Sequence, residues 1–104
     1  MDLDATLKIF QTIAEANNWT DVHSPKNLAI AVSNEASELL NEFQWVPEGD
    51  SWGMAQDEAA RARIAAEAAD VFMYLVALCD KLDIDLEQAV SEKAEANCRR
   101  FLPE

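Results

Sequence analysis

The sequence predicts an all-α fold, a four-helix bundle in a single domain spanning residues 1–104. Three observations carry this reading. Apolar residues recur at spacings of three and four rather than two, the period of a helix with one buried stripe. The 104 residues hold only 2 Gly and 3 Pro, too little turn material for an all-β sandwich or a Gly-rich phosphate loop. The length fits one domain and leaves no room for two.

The first helix is predicted from about Leu3 to Asn17. Leu3, Leu7, Phe10, Ile13 and Ala14 form its stripe, and Asp2 or Asp4 favours its N-terminus. The run Asn17-Asn18-Trp19-Thr20-Asp21 breaks the pattern. Ser24-Pro25 then reads as an N-cap followed by proline at the first helical position. The second helix runs from Pro25 to about Phe43. A loop from Gln44 to about Gly53 holds Pro47, Trp45, Trp52 and both glycines. The third helix is long and Ala-rich, from about Met54 to Lys81. Leu82–Asp85 is a short connection. Asp85 with Gln88 three residues on resembles a capping box for a fourth helix reaching about Arg100. A bundle this small has a modest core, so self-association is expected.

The charge is lopsided: 20 Asp plus Glu against 8 Lys plus Arg, for a net charge of -12. With half the residues hydrophobic, this is not a disordered acidic tail. A chain so acidic, with no basic block, is repelled by phosphate backbones, so no nucleic-acid partner is expected. No stretch approaches the roughly 18 apolar residues of a membrane span. The start, Met1-Asp2-Leu3-Asp4, lacks the basic residues of a secretory leader. Cys79 and Cys98 stand apart with no CxxC spacing, which reads as two packed free thiols in a reducing cytoplasm.

The informative acids lie on two helices. On the second, Leu28, Ala31, Val32, Leu39 and Phe43 form the apolar stripe. Glu35, two turns after Leu28, points nearly the same way, and Glu38 follows three residues later. On the third, Ile64, Val71, Leu75 and Leu78 form a stripe with Glu67 and Asp70 in or beside it and Tyr74 one turn on. Buried carboxylates are costly unless paired or bound to metal, and no cation lies within either stripe. Two facing acidic pairs on rigid helices make an oxygen-rich site suited to Mg²⁺ or Mn²⁺. The alternative is a solvated polar flank.

The surrounding residues weigh on that choice. The segments Ser24-Pro25-Lys26-Asn27-Leu28, Asn34-Glu35-Ala36-Ser37-Glu38 and Phe43-Gln44-Trp45 resemble the MazG-like all-α nucleoside triphosphate pyrophosphohydrolases, and within them the dCTP pyrophosphatase-like branch. Glu67-Ala68-Ala69-Asp70 resembles the family's ExxD helix. Lys93, Asn97 and Arg99-Arg100-Phe101 resemble its C-terminal element. One position departs: the family pattern opens with two adjacent glutamates, and here the first is Asn34. Four acidic ligands remain rather than five.

The resemblance implies Mg²⁺-dependent hydrolysis of a deoxynucleoside triphosphate, dCTP or a modified relative, to the monophosphate and pyrophosphate, in the service of dNTP pool sanitation. It implies Glu35, Glu38, Glu67 and Asp70 as metal ligands, with one glutamate able to orient or deprotonate water. It sets Lys93, Asn97 and Arg100 against the phosphate tail, where exposed helix surface is the competing reading. It places Trp19, Trp45 and Tyr74 around the base, where core or interface packing competes. Lys26 and Asn27 read either as capping residues or as part of the pocket, Trp52 as a lid or a loop anchor, and His23 as a local hydrogen-bonding residue. The resemblance further implies a homotetramer built as a dimer of dimers, or a homodimer, with neighbouring subunits completing the pocket. Other readings are a related dUTP diphosphatase or phosphoribosyl-ATP pyrophosphatase, and a catalytically silent helical bundle. A di-iron bundle would want ExxH motifs, and the only histidine, His23, lies outside both acidic helices.

Overall fold

A computed structural model describes residues 1–103. The chain is all helical, and no strand forms among the described residues. Helix α1 spans Leu3–Ala16, α2 Pro25–Asn41, α3 Glu48–Ser51, α4 Glu58–Lys81 and α5 Leu86–Phe101. Helices α1, α2, α4 and α5 are the four long helices predicted.

The caps explain where they start. Asp2 accepts a hydrogen bond from Ala5 N (3.0 Å) and Ser24 Oγ one from Asn27 N (3.2 Å). Asp85 accepts from Gln88 N (3.0 Å), but Gln88 does not reach back; its side chain donates to Glu92 (3.0 Å). Only half of the predicted capping box forms. Helix α1 stops because Asn18 adopts a left-handed conformation, φ 59°, which a short polar side chain tolerates. A single 3₁₀ turn, Thr20–Val22, follows.

The predicted loop and third helix are redrawn. Residues from Gln44 to Gly53 are not simply irregular: they include α3, which runs into a 3₁₀ segment at Trp52–Gln56. The long helix starts at Glu58 rather than Met54, because the Asp57 carboxylate accepts from Ala59 N (3.1 Å) and Ala60 N (3.2 Å).

Helices α2 and α4 pack along each other and form the main contact of the molecule. They run antiparallel. Glu42, at the end of α2, pairs with Arg63 near the start of α4 (3.0 Å), while Leu28 and Ala77, at the opposite ends, line one cavity. Helix α1 lies across the second half of α4, where Gln11 donates to Asp80 (3.3 Å). The core is small: Ala14, Leu28, Ala60, Val76, Ala77 and Cys79, with Leu28 wholly buried. On α4 the tightest burial thus falls at Ala60 near its start and at Val76, Ala77 and Cys79, and the predicted Ile64, Val71, Leu75 and Leu78 are half-buried. Cys79 is packed as expected, whereas Cys98 is exposed.

Helix α5 stands apart. It buries none of its residues and has no extensive contact with any other helix. The radius of gyration, 16.6 Å, exceeds the roughly 13 Å of a compact chain of about 100 residues.

Candidate active site

Antiparallel packing of α2 against α4 brings the two acidic segments face to face. Carboxylate oxygens of Glu35, Glu67 and Asp70 all lie within 4.8 Å of one another, and all three residues are half-buried. Glu38, one turn beyond Glu35, is exposed and stands outside this triad, though its charge still bears on it. Neither of the two ion pairs among the described residues involves any of the four acids.

The electrostatics follow from that crowding. The Glu35 carboxyl is pushed above the usual carboxylate range, first by burial, then by the Glu67 side chain beside it and the negative charges of Asp70, Glu67 and Glu38. Glu67 Oε2 is buried and has no hydrogen-bond partner among the described residues. An orphaned buried carboxylate oxygen costs free energy unless something cationic satisfies it. Three hard oxygens converging on one point fit a divalent cation such as Mg²⁺ or Mn²⁺.

One turn along α4 from Asp70, Tyr74 belongs to an aromatic cluster. Its ring meets Phe10 edge-on (5.4 Å between centroids) and lies 6.5 Å from His23. Phe10 stacks on His23 (5.3 Å), and Trp19 tilts against His23 at 6.2 Å. His23, expected only to hydrogen-bond locally, therefore joins α1, the residue before the 3₁₀ turn and α4. Nothing in its spacing signalled this, since the contacts come from three separate segments. Asn27 ties the same region to α2, its side-chain amide donating to Val22 O (2.8 Å).

Other predicted residues stand elsewhere. Trp45 is 87% exposed and Trp52 84% exposed, and neither joins the cluster. Lys93, Asn97 and Arg100 lie exposed on α5, which makes no extensive contact with the carboxylate helices. The Arg100 guanidinium sits over the ring of its neighbour Phe101, 4.7 Å from the centroid.

Comparison with known proteins bears on this arrangement. The sequence pattern of the MazG-like family matches residues 30–102, which include all four acids. The chain belongs to the MazG-like family. Curated relatives include dCTP pyrophosphatase 1 of Bos taurus, 34% identical over 99 residues, and that of Homo sapiens, 33% identical over 99 residues. Each alignment covers 95% of this chain, and the chain spans 59% and 58% of those two proteins. A pyrophosphatase from Archaeoglobus fulgidus, known from its crystal structure, superposes with a TM-score of 0.86 at 33% identity. That match covers 96% of this chain and 92% of the other. The all-α class is thus the one seen in a solved pyrophosphatase.

Proposed function

We propose that this MazG-like chain is a nucleoside triphosphate pyrophosphohydrolase, cleaving between the α- and β-phosphates to leave a monophosphate and pyrophosphate. The observation that carries the reading is the convergence of Glu35, Glu67 and Asp70 around the unpartnered Glu67 Oε2. The names of its relatives, dCTP pyrophosphatase and pyrophosphatase, support the reaction class. A deoxynucleotide, dCTP or a modified relative, is the favoured substrate, and clearing the dNTP pool the favoured role. The whole of residues 1–104 is taken as one catalytic domain.

Glu35, Glu67 and Asp70 would hold Mg²⁺, or Mn²⁺, with Glu38 at the open side. When bound, the ion supplies charge neutralisation at the phosphates and a more acidic water. The protein's own part is placement. Helices α2 and α4 fix the three carboxylates on facing sides, so little reorganisation is needed. Glu38, exposed and one turn from the triad, is the glutamate assigned to accept a hydrogen bond from the attacking water. Trp19 and Tyr74, with Phe10 and His23, offer flat aromatic walls to a base; stacking on them binds any base and confers little selectivity alone.

Lys93, Asn97, Arg100 and Trp45 are assigned to the phosphate tail and the base of a neighbouring subunit's site. Their exposure, and the detachment of α5 within its own chain, support a homo-oligomer, taken here as a tetramer of two dimers. No described helix is long and apolar enough to cross a membrane, and the cytoplasm is the proposed location.

A product assay over a panel of dNTPs and NTPs, with and without Mg²⁺, tests the reading. Pyrophosphate with monophosphate is expected, only with metal present. Orthophosphate with a diphosphate overturns the reaction type, and absence of turnover for every nucleotide indicates a silent bundle.

A further inference from the structure

Helix α5 poses a physical problem. A lone 16-residue helix is marginal in water, and most helices owe their stability to a packed apolar face. Here Val90, Phe101 and Leu102 are 59%, 67% and 64% exposed. The start of α5 borders two adjoining concavities. One, of about 440 Å³, is walled by Leu3, Phe72, Leu75, Leu86 and Val90. The other, of about 510 Å³, shares Leu3 and Leu86 and is rimmed by acids. Of that rim, Asp2 and Asp85 serve as helix caps and Asp80 accepts from Gln11. Asp4 and Glu87 have no hydrogen-bond or ion-pair partner among the described residues.

The chemistry that fits is a short segment with apolar side chains and a cation. Such a segment, Arg99 to Leu102, with Phe101 and Leu102 both exposed, ends the same helix. It cannot reach its own groove, because fifteen helical rises separate Leu86 from Phe101 by about 22 Å. A second copy can reach it. We propose that two copies pair with their α5 helices antiparallel, so that Arg99, Phe101 and Leu102 of each dock in the groove at the start of the other's α5. The exchange is reciprocal, as a two-fold axis requires. The basic last turn of each helix then meets the acidic first turn of the other, and the helix dipoles oppose. The Arg99–Glu95 pair within one helix, both side chains largely exposed, is weak enough to yield to this contact.

This inference rests on the self-association proposed above, and it is tested by mass rather than turnover. Two variants are made, Arg99→Asp/Leu102→Asp and Asp4→Lys/Glu87→Lys, with circular dichroism to check the fold. In light scattering after gel filtration, each alone is expected to show about half the mass of the parent assembly or less. Mixed, they are expected to recover a mixed assembly, since Asp tails meet Lys grooves and Arg tails meet acidic grooves. An assembly that ignores both variants overturns this interface while leaving self-association intact. A parent chain that is monomeric overturns both. Should either variant lose helicity, a photoreactive benzoylphenylalanine at position 101 of the otherwise intact chain decides. Adducts to Met1–Leu7 or Val76–Glu87 of an isotopically distinct copy are expected. Adducts elsewhere, or within one chain only, overturn the pairing.

Discussion

A carboxylate oxygen of Glu35, on α2, lies within 4.8 Å of one of Glu67, on α4, although 31 positions separate them in the chain. Two acids held this close cannot both ionise without cost. The raised Glu35 sets a sign for stability against pH in the metal-free protein. A carboxyl whose folded value lies above its ordinary 4.5 binds more protons folded than unfolded. Its stabilisation is complete below that ordinary value and is lost as pH rises through the raised one. Glu35→Gln removes this loss. Thermal melts of the metal-free chain between acid and neutral pH should therefore fall less steeply for the variant than for the parent.

The same crowding predicts stabilisation by divalent cations. A ligand that binds only the folded state at about 100 times its Kd adds about 2.7 kcal/mol. For a domain of this size each kcal/mol moves Tm by roughly 4–8 °C. Mg²⁺ or Mn²⁺ should raise Tm, EDTA should reverse the rise, and Asp70→Asn should blunt it. An equal rise in parent and Asp70→Asn would place the ion elsewhere.

Turnover should be lost with the carboxylates while the helices stay. Substitutions merely behind a metal ligand already cost about 10–100-fold in affinity or activity, and removing an oxygen that touches the ion should cost more. Asp70→Asn, at a proposed ligand, and Glu38→Gln, at the proposed acceptor for the attacking water, are each expected to abolish pyrophosphate release with the far-ultraviolet circular dichroism unchanged. Full activity in both would remove these residues from the site.

Aromatic truncation should separate nucleotide from metal. Losing one stacked ring costs about 1–3 kcal/mol per base. Trp19→Ala and Trp45→Ala should weaken nucleotide binding by that order in calorimetry and leave Mg²⁺ binding near its parent value. Trp45, 87% exposed, should also leave Tm nearly unchanged. A parallel loss of both ligands would indicate a folding defect.

The core should be least forgiving at Leu28, which has no exposed surface at all. Leu→Ala in a packed core costs about 2–5 kcal/mol. With so few buried residues, Leu28→Ala should lower the denaturation midpoint far more than Leu40→Ala, whose side chain is 63% exposed.

Much of this geometry was legible in local signals. Ser24-Pro25 started α2 and Asp85 started α5, because a cap acts on amides three residues away and needs nothing distant. The i, i+3 spacing of Glu35 with Glu38 and of Glu67 with Asp70 placed each pair on one side of its helix. What spacing could not supply was rotation between helices. Glu35, Glu67 and Asp70 converge while Glu38 faces solvent, a distinction of one helical turn decided by how α2 sits on α4. His23 found Phe10 and Tyr74 through tertiary placement alone. Asp57 outcompeted Met54 as the start of α4 because its side chain reaches two free amides. Lys93, Asn97 and Arg100 matched a family pattern, but a pattern in one chain does not say which copy's site they serve.

The left-handed Asn18 divides the proposed site into parts that need not change together. The carboxylates ride on two long regular helices, whose register is set by packing along their whole length. Trp19 and His23 ride on a few irregular residues between Asn18 and the cap at Ser24, where exchanging a side chain disturbs no helix ladder. Under the proposed function, part of the aromatic wall thus lies on a different stretch of chain from the carboxylates, while Tyr74 shares α4 with Glu67 and Asp70. Substitutions confined to that short span would change the wall that the proposed site offers a nucleotide while the oxygen frame stays as it is.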